Sequence, residues 1–166
     1  MKHKRIFSVY TQAILSVFLF LSLLCSHDAV AGKHVSAIGG KIAGTYLLNE
    51  DDDGGFRIVT ITADGSWFGI HSYQFKNTFS NQQGSWKQTG ERKITAGTLN
   101  FTLLDDGVGS SRFNFTVEFD NAFQQVSGYL TGKMFSPGVD PLDPVAVPIK
   151  TFKNTFTGKR LTVVDN

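Results

Sequence analysis

Cysteine is nearly missing from this sequence of 166 residues, which holds Cys25 and no other. One thiol cannot close a disulfide within the chain, so the fold is held by its core alone. Histidine is scarce as well, and beyond residue 31 only His34 and His71 remain. A zinc site wants three or four converging His, Cys or acidic ligands, so a transition-metal centre is not expected. Proline is confined to Pro137, Pro141, Pro144 and Pro148. Apolar residues spaced for an amphipathic helix are almost absent. No serine lies in a Gly-x-Ser-x-Gly elbow, which disfavours a hydrolase of that kind.

An excess of charge of one sign is lacking too, once the N-terminus is considered. Lys2, Lys4 and Arg5 form a basic start, a nearly uncharged apolar run continues to Leu24, and Ala29-Val30-Ala31 supplies small residues. That is the pattern of a signal peptide cleaved before Gly32. The alternative is an uncleaved membrane anchor, since Ile6 to Leu24 is close to spanning length. A lipid anchor on Cys25 fits poorly, because Leu23 and Leu24 stand where a small residue is required.

Removal of residues 1–31 leaves 13 basic and 13 acidic residues. Such a balance carries no electrostatic footprint for nucleic acid and no polybasic patch for a membrane surface. The expected product is secreted or periplasmic, with no stable membrane insertion. It comprises a flexible segment over 32–40 and one domain over 41–166. No feature of the sequence fixes an oligomeric state.

From Lys41 onward the apolar residues recur with a period near two. In Ser111 to Asp120, Phe113, Phe115, Val117 and Phe119 alternate with Asn114, Thr116, Glu118 and Asp120, the signature of a half-buried strand. Seven further runs share that character: Ile42 to Leu48, Phe56 to Thr62, Ser66 to Tyr73, Gly84 to Gln88, Ile94 to Leu104, Phe123 to Met134 and Ile149 to Thr157. Between them stand Asp53-Gly54-Gly55, Ala63-Asp64-Gly65, Thr89-Gly90, Asp105-Asp106-Gly107 and Asp120-Asn121, residues that tolerate the positive φ of tight turns. The pattern predicts an all-β fold. About eight sequential antiparallel strands leave two open edges unless the sheet closes, which favours a single up-and-down β-barrel over a two-sheet sandwich.

One connection is long. Ser136 to Pro148 carries all four prolines and reads as a lid over a barrel mouth or as a stiff crossover to the last strand.

Gly44-Thr45-Tyr46 resembles the Gly-x-Trp opening of lipocalins and wider calycin barrels, with Tyr46 at the tryptophan position. Arg160 in Gly158-Lys159-Arg160 resembles the basic residue those barrels pack over that aromatic to close one end. Gly84-Ser85-Trp86-Lys87-Gln88-Thr89-Gly90-Glu91-Arg92, Asp140-Pro141-Leu142 and Phe156-Thr157-Gly158 resemble stretches of small bacterial secreted lipocalin-like proteins. The resemblance spans Gly44 to Leu161. It implies a calycin-type barrel, and by likeness to allene oxide cyclases it keeps a cofactor-free cyclase or isomerase open.

The interior of an eight-stranded barrel is wide enough to be filled by side chains or to hold one small ligand. On the strand from Ser66, Trp67, Gly69, His71 and Tyr73 share one face while Phe68 and Ile70 share the other. With the first face inward, Trp67, His71, Tyr73, Trp86, Phe101 and Tyr129 are the expected ligand walls. Arg57, His71 or Glu118 are the ionisable groups that could assist catalysis in an apolar interior. Alternation, however, places Glu118 opposite Phe115, Val117 and Phe119. Glu50 to Gly55 lacks the terminal acidic ligand of a calcium loop and reads as a solvated hairpin tip. Three functions remain: an exported binder of a small hydrophobic molecule, a cofactor-free enzyme, and a solid-cored structural or adhesion domain. No cofactor is expected for any of them.

Overall fold

A computed structural model describes residues 37–52 and 54–163. The expected signal peptide and its expected cleavage before Gly32, together with Cys25 and His34, lie outside these residues. Among the described residues eight strands close into one barrel in simple sequence order, every neighbour antiparallel. They are β1 (Gly44–Glu50), β2 (Phe56–Ile61), β3 (Ser66–His71), β4 (Gln82–Gly90), β5 (Lys93–Leu104), β6 (Gly107–Phe119), β7 (Gln125–Phe135) and β8 (Lys150–Arg160). The barrel closes where β1 pairs with β8, Tyr46 opposite Arg160 and Glu50 opposite Phe156. Closure pairs both edges that an open meander would leave free.

Burial alternates along each strand as the period of two requires. Tyr46, Leu48 and Glu50 face inward from β1 while Leu47 and Asn49 face out, and on β3 Trp67, Gly69 and His71 are inward with Phe68 and Ile70 outside. The interior is filled unevenly. In its lower half Tyr46, Ile61, Trp67, Trp86, Phe115 and Phe119 head one apolar cluster. Trp67 packs on Phe115 with ring centroids 5.1 Å apart, and Tyr46 meets Phe119 edge-on at 5.8 Å. Each such side chain, fully buried, contributes roughly 1.5–3 kcal/mol.

That end is stoppered by α1 (Gly39–Ile42), one turn long. Four residues cannot hold a helix by propensity, so its position comes from burial of Ile38 and Ile42 in the core and from the Tyr46 hydroxyl donating to Ile42 O at 2.9 Å. Gly39 allows the approach, since a Cβ there would stand 2.5 Å from Ala63 O in the β2–β3 turn. Packing against the core thus extends N-terminal of Lys41 to Ile38. Ile38 and Ile42 are the reason, because apolar side chains beside an open barrel end are stabilised by entering it.

The proline-rich connection 136–149 turns away from the open end. Pro141, Pro144 and Ala146 border a shallow hollow of about 360 Å³ against the outer side chains Arg112, Thr131 and Lys133. Asp140 and Asp143 accept from the backbone N–H groups of Leu142 and Val145, at 2.8 and 3.0 Å, and fix it as successive turns. Neither reading of this segment holds: β7 and β8 are adjacent antiparallel neighbours, so it is a long hairpin connection laid against the outer wall, neither a lid nor a crossover.

Outside the wall, Leu47, Ile58 and Ile70 stand in one row across β1, β2 and β3, flanked by Phe56 and Phe68. All five are about half-exposed.

Candidate functional site

The upper half of the barrel is open. A cavity of about 720 Å³ enters from the end that carries the β1–β2, β3–β4 and β5–β6 connections. Phe113, Leu130, Met134 and Phe152 make its apolar wall, and Glu50, Arg57, His71, Gln82, Asn100 and Asn154 give it a polar floor. The switch from apolar to polar follows the strands themselves. On β5 the inward positions run Ile94, Ala96, Thr98, Asn100 from the closed end to the open one, and on β1 they run Tyr46, Leu48, Glu50.

Glu50 and Arg57 are almost wholly buried, at 4% and 5% exposure. Glu50 Oε1 accepts from Arg57 Nε at 2.7 Å, lies 2.7 Å from Arg57 Nη2, and stands 3.5 Å from His71 Nε2. Its second oxygen accepts from Asn154 Nδ2 at 3.1 Å. Arg57 Nη1 donates to Gln82 Oε1, and the guanidinium lies 5.3 Å from the centre of the Phe115 ring, at the boundary with the apolar half. Burial pushes the Glu50 carboxyl upward, but the His71 hydrogen bond together with the charge and hydrogen bonds of Arg57 outweighs it and holds the group below its ordinary value. Glu50 is thus a carboxylate with both oxygens engaged.

His71 is fixed from both sides. Its Nδ1 accepts the Tyr73 backbone N–H at 3.1 Å, so in the neutral ring the proton sits on Nε2, facing Glu50. The same bond caps a 3-10 turn, Ser72–Phe75, that starts the segment leaning over the opening. Gln74 holds that segment, accepting from the His71 N–H at 2.9 Å and donating to Phe79 O and Asn81 Oδ1 at 3.1 and 2.9 Å. Farther along, Leu103 N–H donates to Thr78 O and Ser80 N–H to Phe101 O, both at 2.8 Å, which ties it to β5. Tyr73, Lys76, Asn77 and Phe79 line the cavity from this segment. The cover expected from the proline-rich connection is supplied here instead, between β3 and β4.

The six expected wall residues separate into three groups. His71 and Tyr73 line the cavity. Trp67 and Trp86 point inward but belong to the packed half, Trp86 donating its indole N–H to Thr62 O at 3.0 Å. Phe101 and Tyr129 stand on the outer face, 65% and 52% exposed, because their neighbours Asn100, Gly128 and Leu130 take the inward positions. At the closed end the Arg160 guanidinium lies 5.9 Å over the Tyr46 ring. Glu118 is outward and exposed, opposite Lys93. Glu50 departs from the reading of residues 50–55 as a wet tip: Asp51 and Asp52 are exposed, but Glu50 continues the inward face of Tyr46 and Leu48. Asn100, Gln82 and Asn154 carried no sequence signal beyond that same parity.

Among the described residues four buried polar atoms have no hydrogen-bond partner: Trp67 Nε1, Thr98 Oγ1, Asn100 Oδ1 and Ser110 Oγ. Asn100 is 6% exposed. No protein-family model, curated protein or solved structure matches this chain.

Proposed function

We propose that the protein is a calycin-like carrier that binds one small, mainly hydrophobic molecule in the upper half of its barrel. The observation that carries this reading is the cavity of about 720 Å³, within the usual size range of small-molecule sites and combining apolar walls with a few fixed polar groups. Export by a signal peptide to the periplasm or beyond belongs to the same proposal. A saturable titration with the uncharged dye N-phenyl-1-naphthylamine tests it. One dye per chain is expected, with affinity reduced about tenfold or more by Met134→Trp, which fills the cavity from β7. Absence of saturable binding, or binding indifferent to that substitution, overturns it.

A second reading, a cofactor-free isomerase, is favoured by the meeting of Glu50, Arg57 and His71 on one side of the cavity. It ranks lower because Glu50 is held ionised with both oxygens engaged, which makes it a weak base. An adhesion role would draw on the apolar row of Leu47, Ile58 and Ile70 and on the packed lower half, but it leaves the cavity without a use.

A further inference from the structure

Resting on that binding reading, we infer that the bound molecule ends in an uncharged hydrogen-bond donor, a hydroxyl or primary amide, directed at Asn100. The polar floor has two sides of different character. On the side built by β1, β2, β3 and β8, Glu50, Arg57, His71 and Asn154 answer one another, and Asn154 Oδ1 accepts from the N–H groups of Asp52 and Thr155 at 3.1 and 2.9 Å. A ligand gains little there without breaking a bond already made. On the side built by β5 and β6, Asn100 Oδ1 is an unpaired acceptor and the Thr102 and Ser111 hydroxyls share only one contact of 3.5 Å.

The orientation of the Asn100 amide follows from its other end. Nδ2 donates to Ser80 O at 3.4 Å, whereas the flipped amide would oppose two carbonyl oxygens. The buried atom is therefore the acceptor, and leaving it unpaired is costly. A carboxylate head brings no proton for it. A quaternary ammonium carries no N–H to give, and must be desolvated beside Arg57. A hydroxyl or primary amide donates to Asn100 Oδ1 and can accept in return from the Ser111 or Thr102 hydroxyl. Phe113, Leu130, Met134 and Phe152 then enclose an apolar body.

Displacement of N-phenyl-1-naphthylamine from the natural protein at pH 7 by 1-decanol, decanamide, decanoate and decyltrimethylammonium separates these heads on one tail. Decanol and decanamide are expected to displace at concentrations about tenfold lower than the two ions, and Asn100→Leu to abolish that advantage. Decanoate as the strongest competitor, four equal competitors, or a ranking that survives Asn100→Leu overturns the inference while leaving the carrier standing. The ranking on the unmodified protein decides even where the variant does not fold. Failure of the dye itself to bind removes the carrier and this inference with it.

Discussion

Arg160 sits over the ring of Tyr46, its guanidinium 5.9 Å from the centroid, while its Nη1 donates to Lys41 O at 2.9 Å and its Nη2 to Ala43 O. The last residue of β8 thereby fastens α1 and the Ala43 link between α1 and β1 over the closed end. Burial raises the Tyr46 hydroxyl above its ordinary pKa, with the Arg160 charge opposing and Asp120 adding to the rise. Arg160→Ala should lower stability by about 1–3 kcal/mol through loss of two charge-assisted hydrogen bonds and the ring contact. Arg160→Lys should restore only part of it, because one ammonium cannot span two carbonyls as the planar fork does. Urea titrations of the three proteins measure both differences.

The buried pair Glu50–Arg57 predicts an asymmetry between single and double replacement. Glu50→Gln leaves a guanidinium at 5% exposure without its counter-charge and should cost about 3–5 kcal/mol. Replacing both members, Glu50→Leu with Arg57→Met, should cost less than the single change, since no buried charge is stranded. Equal or greater loss in the double variant would contradict this account.

Acid should unfold the protein in a defined direction. The folded Glu50 pKa lies below its ordinary 4.5, so its stabilising contribution is complete above that value and is lost as pH falls through the folded one. Asp120, whose carboxylate accepts from the N–H groups of Gln125 and Gln124, acts in the same sense. Thermal midpoints measured downward from pH 6 should decline below about 4.5, and the decline should be shallower in Glu50→Gln.

Two glycines on paired strands should differ sharply in their tolerance of a side chain. A Cβ at Gly84 would stand 2.0 Å from Gly97 O and 2.7 Å from Thr98 Cα, both backbone, whereas one at Gly97 would meet only Asn114 Oδ1 at 3.8 Å. Gly84→Ala must push β4 and β5 apart and should cost about 1–3 kcal/mol or more, while Gly97→Ala stays near neutral. Denaturant midpoints of the two variants, taken side by side, decide it.

Gln74 predicts the behaviour of the cover. Gln74→Ala removes three bonds that hold residues 71–81 together, so the amides of His71 and Asn77 should exchange faster with solvent. Dye release should accelerate in the same variant if this segment gates the cavity. Unchanged exchange at both amides would show that its backbone bonds to β5 suffice.

The strand pattern could be read directly because alternation is a local property. Each residue pair in Phe113 to Phe119 declares a dry and a wet side without reference to any other strand, and the Asp-Gly and Asn turns limit the connections to neighbours. The eight runs proposed from sequence correspond to the eight strands of the closed barrel. The candidate site was less legible. The search for ligand walls followed aromatic residues, yet Trp67 and Trp86 fill the packed half and Phe101 and Tyr129 face solvent. The floor is made of inward positions occupied by Glu50, Gln82, Asn100 and Asn154, which look like surface residues until parity is carried to the strand ends.

The amino-acid order alone therefore determined an all-β chain of sequential hairpins, since side-chain parity and turn chemistry act over a few residues. Only the tertiary structure decided which half of the interior is solid and which open. It brought Glu50, Arg57, His71 and Gln82 together from four strands, and it showed Asn100 left with an unused acceptor. Those outcomes depend on the register of strand against strand around a closed circle, a long-range quantity that no single segment encodes.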